Sequence, residues 1–174
     1  MFVEYTSSAP PPLRGTRSRT WSRFSGVLVV TRKMAMVSRF RVGDEVLTHC
    51  VPLQRQWAWA EALLVPEAQA ARKPTRMSFP VAGLFPVPAL TADQVLSGVV
   101  ALQRGERVLI HGAGGVTGGV LVAVAAEMGG WVIATAGPAS AERVRGYGAS
   151  EVLDYHQPDW PREVRCLTDG GPWR

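Results

Sequence analysis

Between Arg107 and Thr135 the chain reads RVLIHGAGGVTGGVLVAVAAEMGGWVIAT, and this order of textures leaves few folds open. Arg107 to His111 ends an apolar, β-branched run of strand character. A glycine-rich turn follows. Val116 to Met128 then repeats apolar residues at helical spacing, with Val116, Val120 and Val124 on one stripe and Leu121 and Met128 beside it. Trp131 to Thr135 returns to strand texture. The pattern predicts a βαβ unit, in which two parallel strands are joined by a crossover helix.

The glycines stand where a phosphate needs them. Ala113-Gly114-Gly115-Val116-Thr117-Gly118 gives the spacing A-x-G-x-x-G directly after a strand. Gly115 has no Cβ to hold a ligand away, Gly118 lets the helix lie close to the sheet, and the unpaired N–H groups of the first helical turn point at the anion. The helix dipole adds about half a positive charge there. The loop therefore predicts dinucleotide binding, with these six residues around a pyrophosphate. Val108 to Ala126 is uncharged and nearly as long as the ~20 residues of a membrane helix. Its glycines cluster within Gly112 to Gly119, however, where a membrane helix would spread them, so no membrane partner is expected.

A net charge of +5 hints at nucleic acid until it is divided along the chain. Arg14, Arg17, Arg19, Arg23, Arg32, Lys33, Arg39 and Arg41 stand against Glu4 alone within residues 1–41, so the remainder is slightly acidic. Residues 1–23 are rich in Pro, Ser, Thr, Arg and Gly without a period, which predicts a disordered basic arm. No aromatic or helical reading element accompanies those arginines, so no nucleic-acid partner is expected. Cys50 and Cys166 have no C-x-x-C spacing and suggest neither a disulfide framework nor a zinc site. Glu4 and Pro10 to Pro12 occupy the place of a secretory apolar segment and would break a transit helix, which makes a cytoplasmic location the expectation.

Short strands are expected from Gly26 to Thr31, on either side of a Gly43-Asp44 turn within Phe40 to Leu47, and within Trp57 to Val65, which reads as helix or strand until Pro66 favours a strand. Ala70 to Pro80 reads as connecting loop and Leu84 to Pro88 as a second break. Leu90 to Leu102 then reads as a helix with Thr91 as N-cap. Beyond Thr135, the pattern gives a loop at Ala136 to Pro138, a helix from Ser140 to Tyr147 closed by Gly148, a strand from Glu151 to Asp154 and a helix within Pro158 to Thr168.

From about Phe24 onward the chain resembles the medium-chain dehydrogenase/reductase superfamily, in its zinc-independent quinone oxidoreductase-like and enoyl reductase-like branch. The resemblance rests on Phe40 to Val46 (FRVGDEV), Ala58 to Glu61 with Val65-Pro66, Pro88 to Ala92 (PALTA) and, above all, Gly105 to Gly118 (GERVLIHGAGGVTG). It implies an α/β chain: a partial small β-barrel of GroES-like type over residues 24–88, then the first half of a Rossmann-type doubly wound parallel sheet over residues 89–174. It also implies an NADPH-dependent reductase moving a hydride to a quinone or an activated C=C. Thr91 matches a position that can touch the nicotinamide side, beside its N-cap reading. No cysteine, histidine and glutamate set matches the zinc relatives, and no metal is expected.

Cofactor choice turns on the end of the second strand, where NAD-binding folds place an acid for the ribose. Thr135-Ala136-Gly137-Pro138 offers no carboxylate there, and Ser140, Arg143 and Tyr155 are near in sequence to supply donors and charge to a 2′-phosphate. Tyr155 matches a tyrosine of the family, whereas Ser140 falls where many relatives place a lysine. Arg143 with Arg145 also reads as a solvated helix face. Measured against the family the chain reads as truncated at both ends, with an open edge on the strand Val108 to His111 that invites association. No general acid or nucleophile can be assigned; His111, His156 and Tyr147 read as loop or surface. A dinucleotide-binding remnant without catalysis is the alternative.

Overall fold

The computed structural model describes residues 2–6, 25–33, 38–49 and 62–170. The chain divides into two compact units, Met1–Val87 and Pro88–Arg174.

The first unit is a five-stranded antiparallel sheet with strands β1 (Phe2–Thr6), β2 (Ser25–Lys33), β3 (Glu45–His49), β4 (Ala62–Pro66) and β5 (Ala70–Arg72), in spatial order β4-β1-β2-β3-β5. β1 corrects the expectation of a disordered arm over residues 1–23. Phe2–Thr6 pairs with β2 on one side, from Val3 opposite Lys33 to Thr6 opposite Val29, and with β4 on the other, from Phe2 opposite Pro66 to Thr6 opposite Ala62. Five residues rich in Phe, Val, Tyr and Thr have ample strand preference, which the Pro- and Arg-rich residues after them conceal. The turn expected at Gly43-Asp44 is present: Gly43 takes φ +94°, its N–H donates to the Val30 carbonyl (2.8 Å), and Val30 N–H donates to the Asp44 carbonyl (3.0 Å). The rest of the expected arm, residues 57–61 and Cys50 lie outside the described residues.

The loop expected over Ala70 to Pro80 contains β5 and the start of α1 (Phe79–Leu84), while α2 (Pro86–Asp93) begins inside the second expected break. Proline is a poor signal of a break here because it suits the first turn of a helix, where its missing N–H has no partner to lose. Thr91 accordingly lies within α2 and is not its N-cap. A π-helical stretch, Gln94–Val99, continues α2, and the chain then turns through Ala101 at φ +52°.

The second unit carries β6 (Arg107–Ile110), α3 (Val116–Glu127), β7 (Trp131–Thr135), α4 (Pro138–Gly146), β8 (Glu151–Leu153) and α5 (Trp160–Leu167). The three strands form a parallel sheet in order β6-β7-β8, with Val108 opposite Val132 and Ala134 opposite Val152. Val132 and Ala134 of β7 join Val108, Ile110, Val122, Ala125 and Val144 in the core beneath α3 and α4. Ile133 joins Leu153 and Val164 in a smaller core beneath α5. β7 is buried on both faces and apolar from Val132 to Ala134, as a central parallel strand requires, and each fully buried valine or isoleucine contributes about 1.5–3 kcal/mol. Gly148, at φ +102°, closes the turn after α4. No helix among the described residues is long and apolar enough to cross a membrane.

Candidate cofactor-binding site

At the C-terminal ends of the three parallel strands, the backbone between β6 and α3 forms a tight loop. Gly112 turns it at φ +66°, Gly115 N–H closes on the Gly112 carbonyl (3.0 Å), and Ala113 N–H donates to the Thr135 carbonyl at the end of β7 (3.0 Å). Ala113 is wholly buried. Helix α3 lies so close that a Cβ on Gly118 would stand 2.3 Å from the Gly112 oxygen and 2.9 Å from the Ala113 Cα. Only glycine allows that approach. A Cβ on Gly115 would meet nothing nearer than the Gly112 oxygen at 3.4 Å, so the outer face of the loop is open to a ligand.

The electrostatics suit an anion. Gly115 is the N-cap residue of α3, no side chain caps the helix, and its first turn has no acid, so the leading N–H groups are left for a partner outside the helix. Arg143 on α4 reaches across and donates to the Gly114 carbonyl (2.8 Å), which brings a guanidinium beside the loop. Arg145, two residues on in the same helix, pairs with Glu142. Val116 is 70% exposed at the start of α3, an apolar surface left beside the N–H groups. A glycine cradle, uncapped N–H groups and a nearby guanidinium fit the pyrophosphate of a dinucleotide.

The other expected residues fall around this loop in distinct ways. The Thr135 side chain is buried: its Oγ1 accepts from Gly112 N–H (3.3 Å) and lies 3.2 Å from His111 Nδ1, so it braces the loop from behind. Ser140 presses on the front, where a Cβ on Gly114 would come 2.4 Å from its Oγ. Tyr155 and His156 cover Gly137, the N-cap of α4, with Tyr155 Oη 3.3 Å and His156 Cε1 3.4 Å from where a Cβ would stand. Thr117 is half-buried in the first turn of α3. Thr91 is half-buried on α2, a separate element.

The Asp154–His156 pair is the feature that the sequence reading missed. Asp154 Oδ1 accepts from His156 N–H (3.0 Å) and lies 2.7 Å from His156 Nδ1. These two bonds, the backbone one foremost, hold the Asp154 carboxyl below its ordinary range. The spacing Asp-x-His was the available signal, since an aspartate readily accepts from the backbone two residues on. His111 is set edge-on to Trp160, with ring centres 5.0 Å apart. Among the described residues no three His, Cys, Asp or Glu side chains gather as a metal site. A shallow groove of about 460 Å³ between β8 and α5 is lined by Glu151, Leu153, Arg162 and Cys166 and includes no residue of the glycine loop.

No family model matches the chain. A quinone oxidoreductase of Pseudomonas aeruginosa is 33% identical over 135 residues, covering 77% of this chain and 41% of that protein. The crystal structure of the CurK enoyl reductase superposes with a TM-score of 0.73 at 30% identity, covering 84% of this chain and 43% of the other. A mycobacterial protein, Rv1454c, solved in complex with NADPH, superposes with a TM-score of 0.74 at 26% identity, covering 97% and 56%. The chain thus spans less than half the length of the curated relative. Similarity in sequence, an antiparallel sheet followed by a parallel one, and a glycine loop between β6 and α3 lead to one conclusion: the chain belongs to the medium-chain dehydrogenase/reductase family, and the members it resembles are quinone oxidoreductases and enoyl reductases.

Proposed function

We propose that this chain binds NADPH, with Ala113 to Gly118 around the pyrophosphate, and that its chemistry is hydride transfer to a quinone or to the activated C=C of an enone or enoyl substrate. The observation that carries the reading is the loop itself: closed from within at Gly118 and open outward at Gly115. NADPH in the related mycobacterial structure supports the choice of cofactor. The absence of a carboxylate within residues 135–138 supports it again, since an acid there would repel a 2′-phosphate. Ser140, Arg143 and Tyr155 are the groups assigned to that phosphate, and Thr91 to the nicotinamide side.

When bound, the cofactor supplies the hydride. The chain's own work is to hold the pyrophosphate on the α3 N–H groups and to keep the loop rigid through Thr135 and Arg143. The reading is of zinc-free chemistry in the cytoplasm on a small-molecule substrate. Its test is NADPH oxidation against a series of quinones and enones. Saturable turnover abolished by Gly115→Trp supports it, and no turnover by folded protein that binds NADPH removes the hydride-transfer half.

A second reading is a chain without turnover that binds a dinucleotide weakly or associates through the β6 edge. It is favoured by the pairing of β6, which among the described residues has β7 as its one neighbour in a sheet type ordinarily flanked on both sides. A monomeric elution profile at high concentration counts against the association.

A further inference from the structure

Thr135 holds the glycine loop at two points, one through its backbone and one through its side chain. Its carbonyl accepts from Ala113 N–H (3.0 Å) and its Oγ1 accepts from Gly112 N–H (3.3 Å). Thr135 is 1% exposed, so the proton of that hydroxyl needs an acceptor within the protein. Among the described residues the one group placed to take it is His111 Nδ1, at 3.2 Å. With Oγ1 already accepting from Gly112, the Thr135 proton goes to Nδ1, and an imidazole that accepts there carries its own proton on Nε2. In the reverse direction, with Nδ1–H donating, Oγ1 would accept twice and the Thr135 proton would face no acceptor.

His111 is itself exposed, and an exposed imidazole has other rotamers to visit. Trp160, the first residue of α5, holds it in this one: the two rings meet edge-on, with centres 5.0 Å apart and planes at 78°. Trp160 in turn packs on the core of Ile133, Leu153 and Val164. Contacts thus run without a gap from the core beneath α5 through indole, imidazole and hydroxyl to the amide of Gly112. That amide stands where the loop leaves β6 at φ +66°.

We propose that His111 is a positioning residue for the dinucleotide: by taking the Thr135 proton it keeps Oγ1 turned to Gly112 N–H, and so fixes the loop whose outer face receives the pyrophosphate. Trp160 keeps the imidazole in the orientation this needs. The cofactor role rests on the proposed dinucleotide site, whereas the hydrogen-bonded brace can be tested in the free protein.

The test combines hydrogen exchange of the Gly112 amide in the free protein with NADPH titration by nucleotide fluorescence. The proteins are wild type, His111→Leu, His111→Asn, Thr135→Val and the double variant His111→Leu with Thr135→Val, each shown to be folded by far-UV circular dichroism. Leucine has no acceptor, whereas asparagine can bring Oδ1 close to where Nδ1 stands. The expected result is faster Gly112 exchange in His111→Leu and NADPH binding weakened about fivefold, the size of one lost net hydrogen bond. His111→Asn recovers both. In the Thr135→Val background, where the hydroxyl is already gone, His111→Leu has no further effect on either readout. Loss of packing alone would add in both backgrounds and would not be recovered by asparagine, so either of those outcomes overturns the assignment. Gly112 exchange unchanged in His111→Leu overturns the brace itself. Folded wild type that binds no NADPH overturns the dinucleotide site and the cofactor role of His111, while the exchange result still decides the brace.

Discussion

Gly118→Ala tests the close approach on which the glycine loop depends. The new Cβ would stand 2.3 Å from the Gly112 oxygen, 2.8 Å from the Gly112 carbonyl carbon and 2.9 Å from the Ala113 Cα, all of them backbone atoms. None can swing aside as a side chain would. Gly112 is held at φ +66° with its N–H on Thr135 Oγ1, and Ala113 is buried with its N–H on the Thr135 carbonyl. Relief therefore has to come from a shift of α3 against β6, which overpacking studies place at about 1–3 kcal/mol. Contacts this close to backbone atoms belong at the upper end of that range, and alanine regains up to about 1 kcal/mol of helix preference over glycine, so the net loss is about 2–3 kcal/mol. In a unit of this size that lowers the midpoint by about 4–8 °C for each kcal/mol, read by far-UV circular dichroism in a thermal scan and checked by urea unfolding. Gly115→Ala is the partner experiment. Its Cβ meets one atom at an ordinary 3.4 Å, and at φ −82° it gives up only an N-cap preference of about half a kcal/mol. A Gly118→Ala protein as stable as wild type, or a Gly115→Ala protein that loses as much as Gly118→Ala, would refute the packing argument.

Three further outcomes follow from named contacts. Thr135→Val removes the hydroxyl that accepts from Gly112 N–H and faces His111, and should cost about 1–2 kcal/mol in urea unfolding while weakening NADPH binding through a looser loop. Lys73, with a side chain 5% exposed, donates to the Met77 carbonyl (2.6 Å) and pairs with Glu45 (2.9 Å), so Lys73→Ala should destabilise the first unit by about 1–3 kcal/mol in the same assay. Asp44 accepts from Arg41 N–H and pairs with Arg72, and those contacts lower its carboxyl below the ordinary 3.8. A lowered carboxylate stabilises the fold above the unfolded value and loses that contribution as pH falls through the folded one. The Asp44 side-chain carbon resonance should therefore titrate below pH 3.8, and Arg72→Ala should move its midpoint upward.

How much could be read from residues alone differs between the two units. From Arg107 to Thr135 each signal agreed with the next, and β6, α3 and β7 fall where the strand, helix and strand textures put them. The first unit is built from strands of three to nine residues whose existence depends on neighbours. β5 is three residues placed by pairing with β3, from Val46 opposite Arg72 to Thr48 opposite Ala70, and three residues carry no period. β1 is set between β2 and β4, a long-range pairing that no local window contains. At the site, the roles of Gly115 and Gly118 follow from spacing. The buried hydroxyl of Thr135 and the reach of Arg143 to Gly114 are tertiary facts, visible only once the strand ends are side by side.

The most direct test of the central claim is titration of the purified chain with NADPH, followed by the enhancement of nucleotide fluorescence, with Gly115→Trp alongside. The account predicts saturable binding by the wild type and its loss in Gly115→Trp, whose indole would fill the open face of the loop while far-UV circular dichroism shows the fold unchanged. Folded wild-type protein that does not bind NADPH, or a Gly115→Trp protein that binds it equally well, would contradict the assignment of this loop as the pyrophosphate site.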